Sequence, residues 1–189
     1  MAQLILFGDP LANKVVNVAS IPQRSPFRYP GGKTWLIPQI RLWLDSLPNK
    51  PSYFVEPFAG GGIVALTVAA EVLAKRVIMV ELDSEVAAVW NTIFNDEGGA
   101  VWLARKIGDF VMTLSNVQET LSKSPRSTRE KAFQTILKNR VYHGGILAPG
   151  SSLIKNGEKG KGISSRWYPQ TQTEANLQYN RIFAVHYLY

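Results

Sequence analysis

The chain has 189 residues, 46% of them hydrophobic, and carries a net charge of +7 from 21 Lys and Arg against 14 Asp and Glu. That length and apolar content suit one domain with a real core, and no apolar run is long enough to span a membrane or serve as a signal peptide, so a reducing, cytoplasmic location is expected. Cysteine is absent, which excludes disulfides, thiol nucleophiles and thiolate metal sites, and His143 and His186 alone make a poor metal set.

Residues 1–26 carry two short strand-like runs, 4–7 and 15–18, separated by a turn at Gly8-Asp9-Pro10. After Pro30-Gly31-Gly32, the spacing of Trp35, Leu36, Ile40, Trp43, Leu44 and Leu47 predicts a helix over 34–47, which Pro48 and Pro51 close. A strand follows over 53–55, then a glycine triplet, a helix over 62–74 and a second strand over 77–81. Val86, Val89, Trp90 and Ile93 give a further helix from about Ser84 through Asn95, broken by Asp96-Glu97-Gly98-Gly99. Residues 100–121 read as one helix and 128–138 as another. From His143 onward glycines and polar residues puncture the chain and periodicity is lost, so that region is expected to be loop-rich. Residues 181–189 return to strand-like composition.

The chemistry concentrates at two strand ends. Val55-Glu56-Pro57-Phe58-Ala59-Gly60-Gly61-Gly62-Ile63-Val64 is an apolar strand ending in an acid and a triple glycine. Glycines there let the backbone bend sharply and approach a bound molecule. Val77-Ile78-Met79-Val80-Glu81 is a second apolar strand ending in an acid, 21 residues beyond Gly60. Strand, glycine loop, helix, strand and acid is how a doubly wound fold holds a ribose-bearing cofactor. Glu81 is placed to accept ribose hydroxyls, although an acid ahead of a helix at Ser84 also suits the helix N-terminus. For Asp83 that capping role is the preferred one. A packing-only role for the glycines remains the plainer alternative.

Ahead of these, Phe27-Arg28-Tyr29-Pro30-Gly31-Gly32-Lys33-Thr34 contains Gly-Lys-Thr, but a phosphate loop needs glycine where Phe27 stands. The segment is read instead as a Pro-Gly turn leading into a helix, with Lys33 offering an ammonium to a carboxylate and Tyr29 an aromatic face to a base. A nicotinamide site normally shows Gly-x-Gly-x-x-Gly, and Gly60-Gly61-Gly62-Ile63-Val64-Ala65 lacks the third glycine. A sulfonium nucleoside, which has no pyrophosphate, fits the pattern better.

Together, Phe27-Arg28-Tyr29-Pro30-Gly31-Gly32-Lys33, Tyr53-Phe54-Val55-Glu56-Pro57-Phe58-Ala59-Gly60-Gly61-Gly62 and Val80-Glu81-Leu82-Asp83 resemble the Dam-type (D12 class) adenine-N6 DNA methyltransferases. The resemblance covers about residues 25–171 and implies an S-adenosyl-L-methionine cofactor and a double-stranded DNA substrate. It implies cofactor contacts at Tyr29, Lys33, Glu56, Pro57, Phe58, Gly60, Gly62 and Glu81. Lys138-Asn139-Arg140-Val141-Tyr142-His143-Gly144-Gly145 is similar to the family's Asn-Arg-x-x-Phe-x-Gly segment. Residues 151–169 are similar to its DNA-recognition loop, which makes Arg140, Lys155, Lys159, Lys161, Arg166, Trp167 and Tyr168 the expected DNA contacts. From the residues alone, Lys155, Lys159, Lys161 and Arg166 suit phosphates while Trp167 and Tyr168 offer stacking faces. The positive net charge points the same way.

The expected architecture is α/β: a partial doubly wound (Rossmann-like methyltransferase) sheet with helices, plus a loop-rich recognition region. Its parts are an N-terminal extension over 1–26, a cofactor-binding domain over 27–125, a recognition region over 126–171 and an atypical tail over 172–189. A family member also needs an Asp-Pro-Pro-Tyr type motif to hold the target amine, and no Pro-Pro pair occurs here. No catalytic residue is therefore assigned, and the chain is expected to be inactive alone. It reads as a truncated or frameshifted product, as one subunit of a split enzyme, or as a non-catalytic cofactor- or DNA-binding remnant. One edge of the strand at 53–55 is expected to be bare and covered by the tail at 181–189, by residues 4–7, or by a second copy of the chain.

Overall fold

The computed structural model describes residues 21–28, 32–145, 147, 150–154, 160–169 and 185–188. The strand-like runs expected at 4–7 and 15–18, together with Tyr29, Lys155 and Lys159, lie outside the described residues. Within them the chain is a mixed α/β structure with a three-stranded parallel sheet in the order β1-β2-β3. The strands are β1 (Tyr53–Glu56), β2 (Arg76–Val80) and β3 (Val185–Leu188). Six helices accompany them among the described residues: α1 (Ile37–Asp45), α2 (Ile63–Ala70), α3 (Ser84–Phe94), α4 (Gly99–Gly108), α5 (Leu114–Ser122) and α6 (Thr128–Val141). No helix among the described residues is long and apolar enough to cross a membrane.

The crossover from β1 through α2 to β2 forms the centre. β1 pairs in register with β2 from Tyr53↔Arg76 to Glu56↔Met79. Alternation along the strands buries Phe54 and Glu56 on one and Val77 and Met79 on the other. α2 is apolar on every side and buried from Ile63 to Ala69, as a helix enclosed by its neighbours must be. It packs on all three strands.

Polar side chains set where the other helices begin. Asp83 caps α3 by accepting from the amides of Glu85 at 2.8 Å and Val86 at 3.3 Å, so the capping role read for it holds. Ser127 caps α6 through the amide of Glu130. The expected single helix over 100–121 is two helices, with a non-helical stretch between Gly108 and Leu114. The physical cause is a competing local bond: the Thr113 hydroxyl accepts from the Asn116 amide and starts a new helix. α6 packs along α3, and one hydrophobic cluster includes Val86, Trp90, Phe133, Ile136 and Leu137. The core therefore runs across the boundary expected at residue 126.

The tail forms a strand, but not where it was expected. β3 pairs with β2, from Val77↔Val185 to Val80↔Leu188, and among the described residues β1 stands at the sheet edge. At β2 the incoming strand is met by both α2 and α3, whereas β1 is bracketed by Pro51 and Pro57.

Gly62 shows why the turn between β1 and α2 needs glycine. Its φ is +66°, and a Cβ there would lie 2.5 Å from Met79 Cε and 2.9 Å from Trp90 Cζ2. Gly98 has a similar φ of +72° with open space around it. Urea unfolding should therefore show Gly62→Ala losing roughly 2–4 kcal/mol and Gly98→Ala only about 1 kcal/mol. Equal losses would mean that backbone conformation alone, without close packing, sets the requirement.

Candidate cofactor cradle

Parallel pairing brings the carboxyl ends of β1 and β2 side by side, which sets Glu56 and Glu81 at the same end of the sheet. The glycine loop turns between them. The Ala59 amide donates to the Val80 carbonyl at 3.0 Å, and the Trp90 indole donates to the Gly60 carbonyl at 2.9 Å. The Glu81 carboxylate closes the loop from the other side, accepting the Gly60 amide at 2.6 Å and the Asp83 amide at 2.9 Å.

Glu56 lies deeper, only 4% exposed. It accepts the Ala65 amide in the first turn of α2 at 2.9 Å and forms an ion pair with Lys33. Burial pushes its carboxyl above the ordinary range, and the Lys33 ammonium and the Ala65 amide work against that. Lys33 also donates to the Phe58 carbonyl at 2.5 Å. One ammonium thus ties the turn before α1 to the end of β1 and to the glycine loop.

Lys33, Phe58, Gly60, Gly62 and Glu81 line one cavity of about 290 Å³, along with Gly32, Ala59, Gly61 and Ile63. Of the cofactor contacts expected from sequence, these five meet in one place. Glu56 and Pro57 line an adjoining groove that shares Lys33 and Phe58, so Glu56 supports the cradle from beneath through Lys33. A second cavity of about 430 Å³ shares Gly32, Gly61 and Ile63 and extends toward Gln23, Ser25, Phe27, Arg28 and Gly144.

The 139–145 segment builds the far wall. Asn139 accepts the Arg28 amide at 2.8 Å and donates to the carbonyls of Arg28 and Gly145, each at 2.9 Å. Gly145 has φ +71°, and a Cβ would stand 2.8 Å from the Arg28 carbonyl oxygen. Arg140 reaches the Pro26 carbonyl. These contacts clamp the strand of chain entering the cradle. Sequence reasoning missed Asn139 and Trp90 as cradle-building residues. A polar residue in a helix and a tryptophan on an apolar stripe carry no local sign of partners so far along the chain.

Two expected DNA contacts point inward. Arg140 and Trp167 are each only 8% exposed, Trp167 edge-on to Phe110 at 5.9 Å between centroids. Burial, with Arg28 and Arg166 adding repulsion, pulls the Arg140 guanidinium down to about 10. Both side chains therefore serve the internal frame in this structure, which corrects the expectation of surface contact at these two positions. Arg166 donates to the Tyr142 carbonyl at 3.1 Å. Lys161 and Tyr168 are exposed.

A family model described as D12 class N6 adenine-specific DNA methyltransferase matches residues 29–139. No curated protein matches the chain. The matched span runs from Tyr29 through Lys33, both acid-tipped strands and α3 to Asn139.

The Lys33–Glu56 pair gives a pH signature. A carboxyl whose pKa is raised on folding contributes stability below its unfolded value, and that contribution is lost as pH rises through the folded value. Lys33→Met removes the main counterweight and pushes the Glu56 carboxyl further up. Thermal melts should show Lys33→Met close to the parent near pH ~4, with a deficit that widens toward neutral pH. A deficit independent of pH would mean that the ammonium does not hold Glu56 ionised.

Proposed function

The chain belongs to the D12 class N6 adenine-specific DNA methyltransferase family, and from that premise we propose that its cradle binds S-adenosyl-L-methionine for methylation of adenine in DNA. The observation that carries this reading is the single cavity shared by Lys33, Gly60 and Glu81. The donor set fits the group. Lys33 supplies an ammonium for the cofactor's carboxylate, the amide end of α2 opens beside the glycine loop, and Glu81 supplies a carboxylate for ribose hydroxyls. Tyr29 completes the set as an aromatic face for the adenine.

When bound, this cofactor supplies a methyl group made electrophilic by its sulfonium. The chain's own residues then bind and orient it: the loop from Pro57 to Gly62 wraps one side, and Asn139 holds the Arg28 wall in place. DNA is the polyanion that the net charge of +7 favours, with Lys161, Arg166 and Tyr168, and Lys155 and Lys159 in the same stretch, as the proposed contacts. The fold fits a partial Rossmann-like sheet. Residues 27–125 are proposed as the cofactor-binding part and 126–171 as the recognition part.

Within these 189 residues no Pro-Pro pair is available to hold a flipped adenine's amine. Methyl transfer by these 189 residues alone is therefore not expected, and a segment bearing that motif would complete the site. The same absence favours one other reading, a non-catalytic regulator that retains cofactor or DNA affinity. Methylation assays with and without a partner that supplies the motif separate the two.

Calorimetry tests the cofactor assignment. S-adenosyl-L-methionine should bind and NAD should not, and Glu81→Ala should weaken binding by about 10–100-fold, the range for losing hydrogen bonds to a charged group. Because Glu81 also holds the Gly60 amide, Glu81→Gln serves as the control that keeps an acceptor beside the loop. Unchanged affinity in a folded Glu81→Ala chain contradicts the assignment.

A further inference from the structure

The glycine triplet divides its work unevenly. Gly60 and Gly62 are buried, and only the middle residue, Gly61, keeps part of its surface exposed. Gly61 lines both the cradle of about 290 Å³ and the neighbouring cavity of about 430 Å³. The Gly60 amide is held by Glu81 at 2.6 Å and the Gly62 amide by the Ala59 carbonyl at 2.7 Å. The Gly61 amide meets no acceptor among the described residues. The peptide joining Gly60 to Gly61 is gripped from the core. Trp90, wholly buried on α3, donates its indole N–H to the Gly60 carbonyl at 2.9 Å. Its ring is fixed in turn: it lies against Gly62, meets Phe27 edge-on at 5.4 Å between centroids and stacks with Phe94 at 6.1 Å.

In a trans peptide the C=O and the following N–H point in opposite directions. Holding the Gly60 carbonyl on the core side therefore turns the Gly61 N–H away from the core, toward the cavities it lines. We infer that Trp90 is a positioning residue: its indole N–H sets the Gly60–Gly61 peptide plane so that the Gly61 amide stands ready as a donor to the cofactor's carboxylate. The inference rests on the cofactor reading above and adds which glycine makes the contact and what aims it. The chemistry asks for such a donor. An ammonium has three N–H groups, and Lys33 directs two at Glu56 and the Phe58 carbonyl, so a carboxylate with two oxygens needs another donor beside it. The chemistry also asks for a clamp. Two glycines in succession have little preference of their own between peptide orientations, and the flipped plane would present a carbonyl oxygen to an anion. A donor aimed before the ligand arrives spares the ordering cost on binding.

Calorimetry on the full chain with two thioether nucleosides tests this. S-adenosyl-L-homocysteine carries the amino-acid end, and methylthioadenosine lacks it. Trp90→Phe, which keeps an aromatic ring and removes the donor, should weaken S-adenosyl-L-homocysteine by about 10–100-fold, the range for losing a hydrogen bond to a charged group. Methylthioadenosine should bind as it does to the parent. Benzothienylalanine placed at Trp90 exchanges the N–H for sulfur at nearly the same ring size, and should give the same selective loss without emptying the core. In amide NMR spectra of the parent, the Gly61 proton should move downfield as S-adenosyl-L-homocysteine saturates the site and stay in place with methylthioadenosine. A parent that binds neither nucleoside contradicts the cofactor reading itself, and the inference falls with it. A parent that binds S-adenosyl-L-homocysteine, with variants that bind it unchanged or lose both nucleosides equally, overturns the role of Trp90 and leaves the cofactor reading standing. A Gly61 proton unmoved by S-adenosyl-L-homocysteine overturns it as well.

Discussion

The arrangement of the cradle depends on the ion pair between Lys33 and Glu56. A carboxylate buried to 4% exposure at the end of a strand is costly unless a cation and a donor meet it. Lys33 and the Ala65 amide do so, and that requirement draws three separate pieces of chain to one point. The turn before α1 brings the ammonium, β1 brings the acid, and α2 brings its first-turn amide. The Phe58 carbonyl, held by the same ammonium, fixes the start of the glycine loop. Loop geometry then follows from packing: Gly62 fits against Met79 and Trp90 because it has no side chain, and Glu81 secures Gly60 from the neighbouring strand.

Around this centre the molecule uses its polar residues as clamps. Asn139 and Arg140 sit on α6, far along the chain from Arg28 and Pro26, yet they fix the backbone of that segment. Lys138 pairs with Glu85 and binds the same helix to α3. The helix that the sequence assigns to recognition thus helps to build the wall of the cradle through its contacts with Arg28 and Pro26. The parts expected from sequence for recognition and for cofactor binding share one core, since α3 and α6 pack within the same hydrophobic cluster.

Much of the fold was legible in the residues. Apolar runs bounded by glycine, proline and acids marked β1, α2, β2 and α3 to within a few positions, because the signals that start and stop those elements are local. Lys33, Gly60 and Glu81 were readable as one site because strand ends, glycines and acids carry positional meaning in a parallel sheet. The break at Asp109–Thr113 was not, since apolar residues continue through it and only the Thr113 hydroxyl tips the balance. Arg140 and Trp167 were misread for a different reason. A cation and an aromatic look the same in sequence whether they face a polyanion or a carbonyl and a phenyl ring inside, and only tertiary contacts decide. The seat of the tail strand was equally invisible, because a short apolar run fits either open edge of a sheet.

A double-mutant cycle tests the Lys33–Glu56 linkage most directly. Lys33→Met, Glu56→Gln and the double variant are compared with the parent by urea unfolding at neutral pH. Lys33→Met, which strands the buried carboxylate, should be destabilising by about 3 kcal/mol, and Glu56→Gln, which leaves a partly exposed ammonium, by less. The double variant should lose far less than the sum, since the neutral amide introduced by Glu56→Gln leaves no charge unmet. Additive losses, with no coupling beyond about 0.5 kcal/mol, would show that the cradle is held by packing alone and contradict this account.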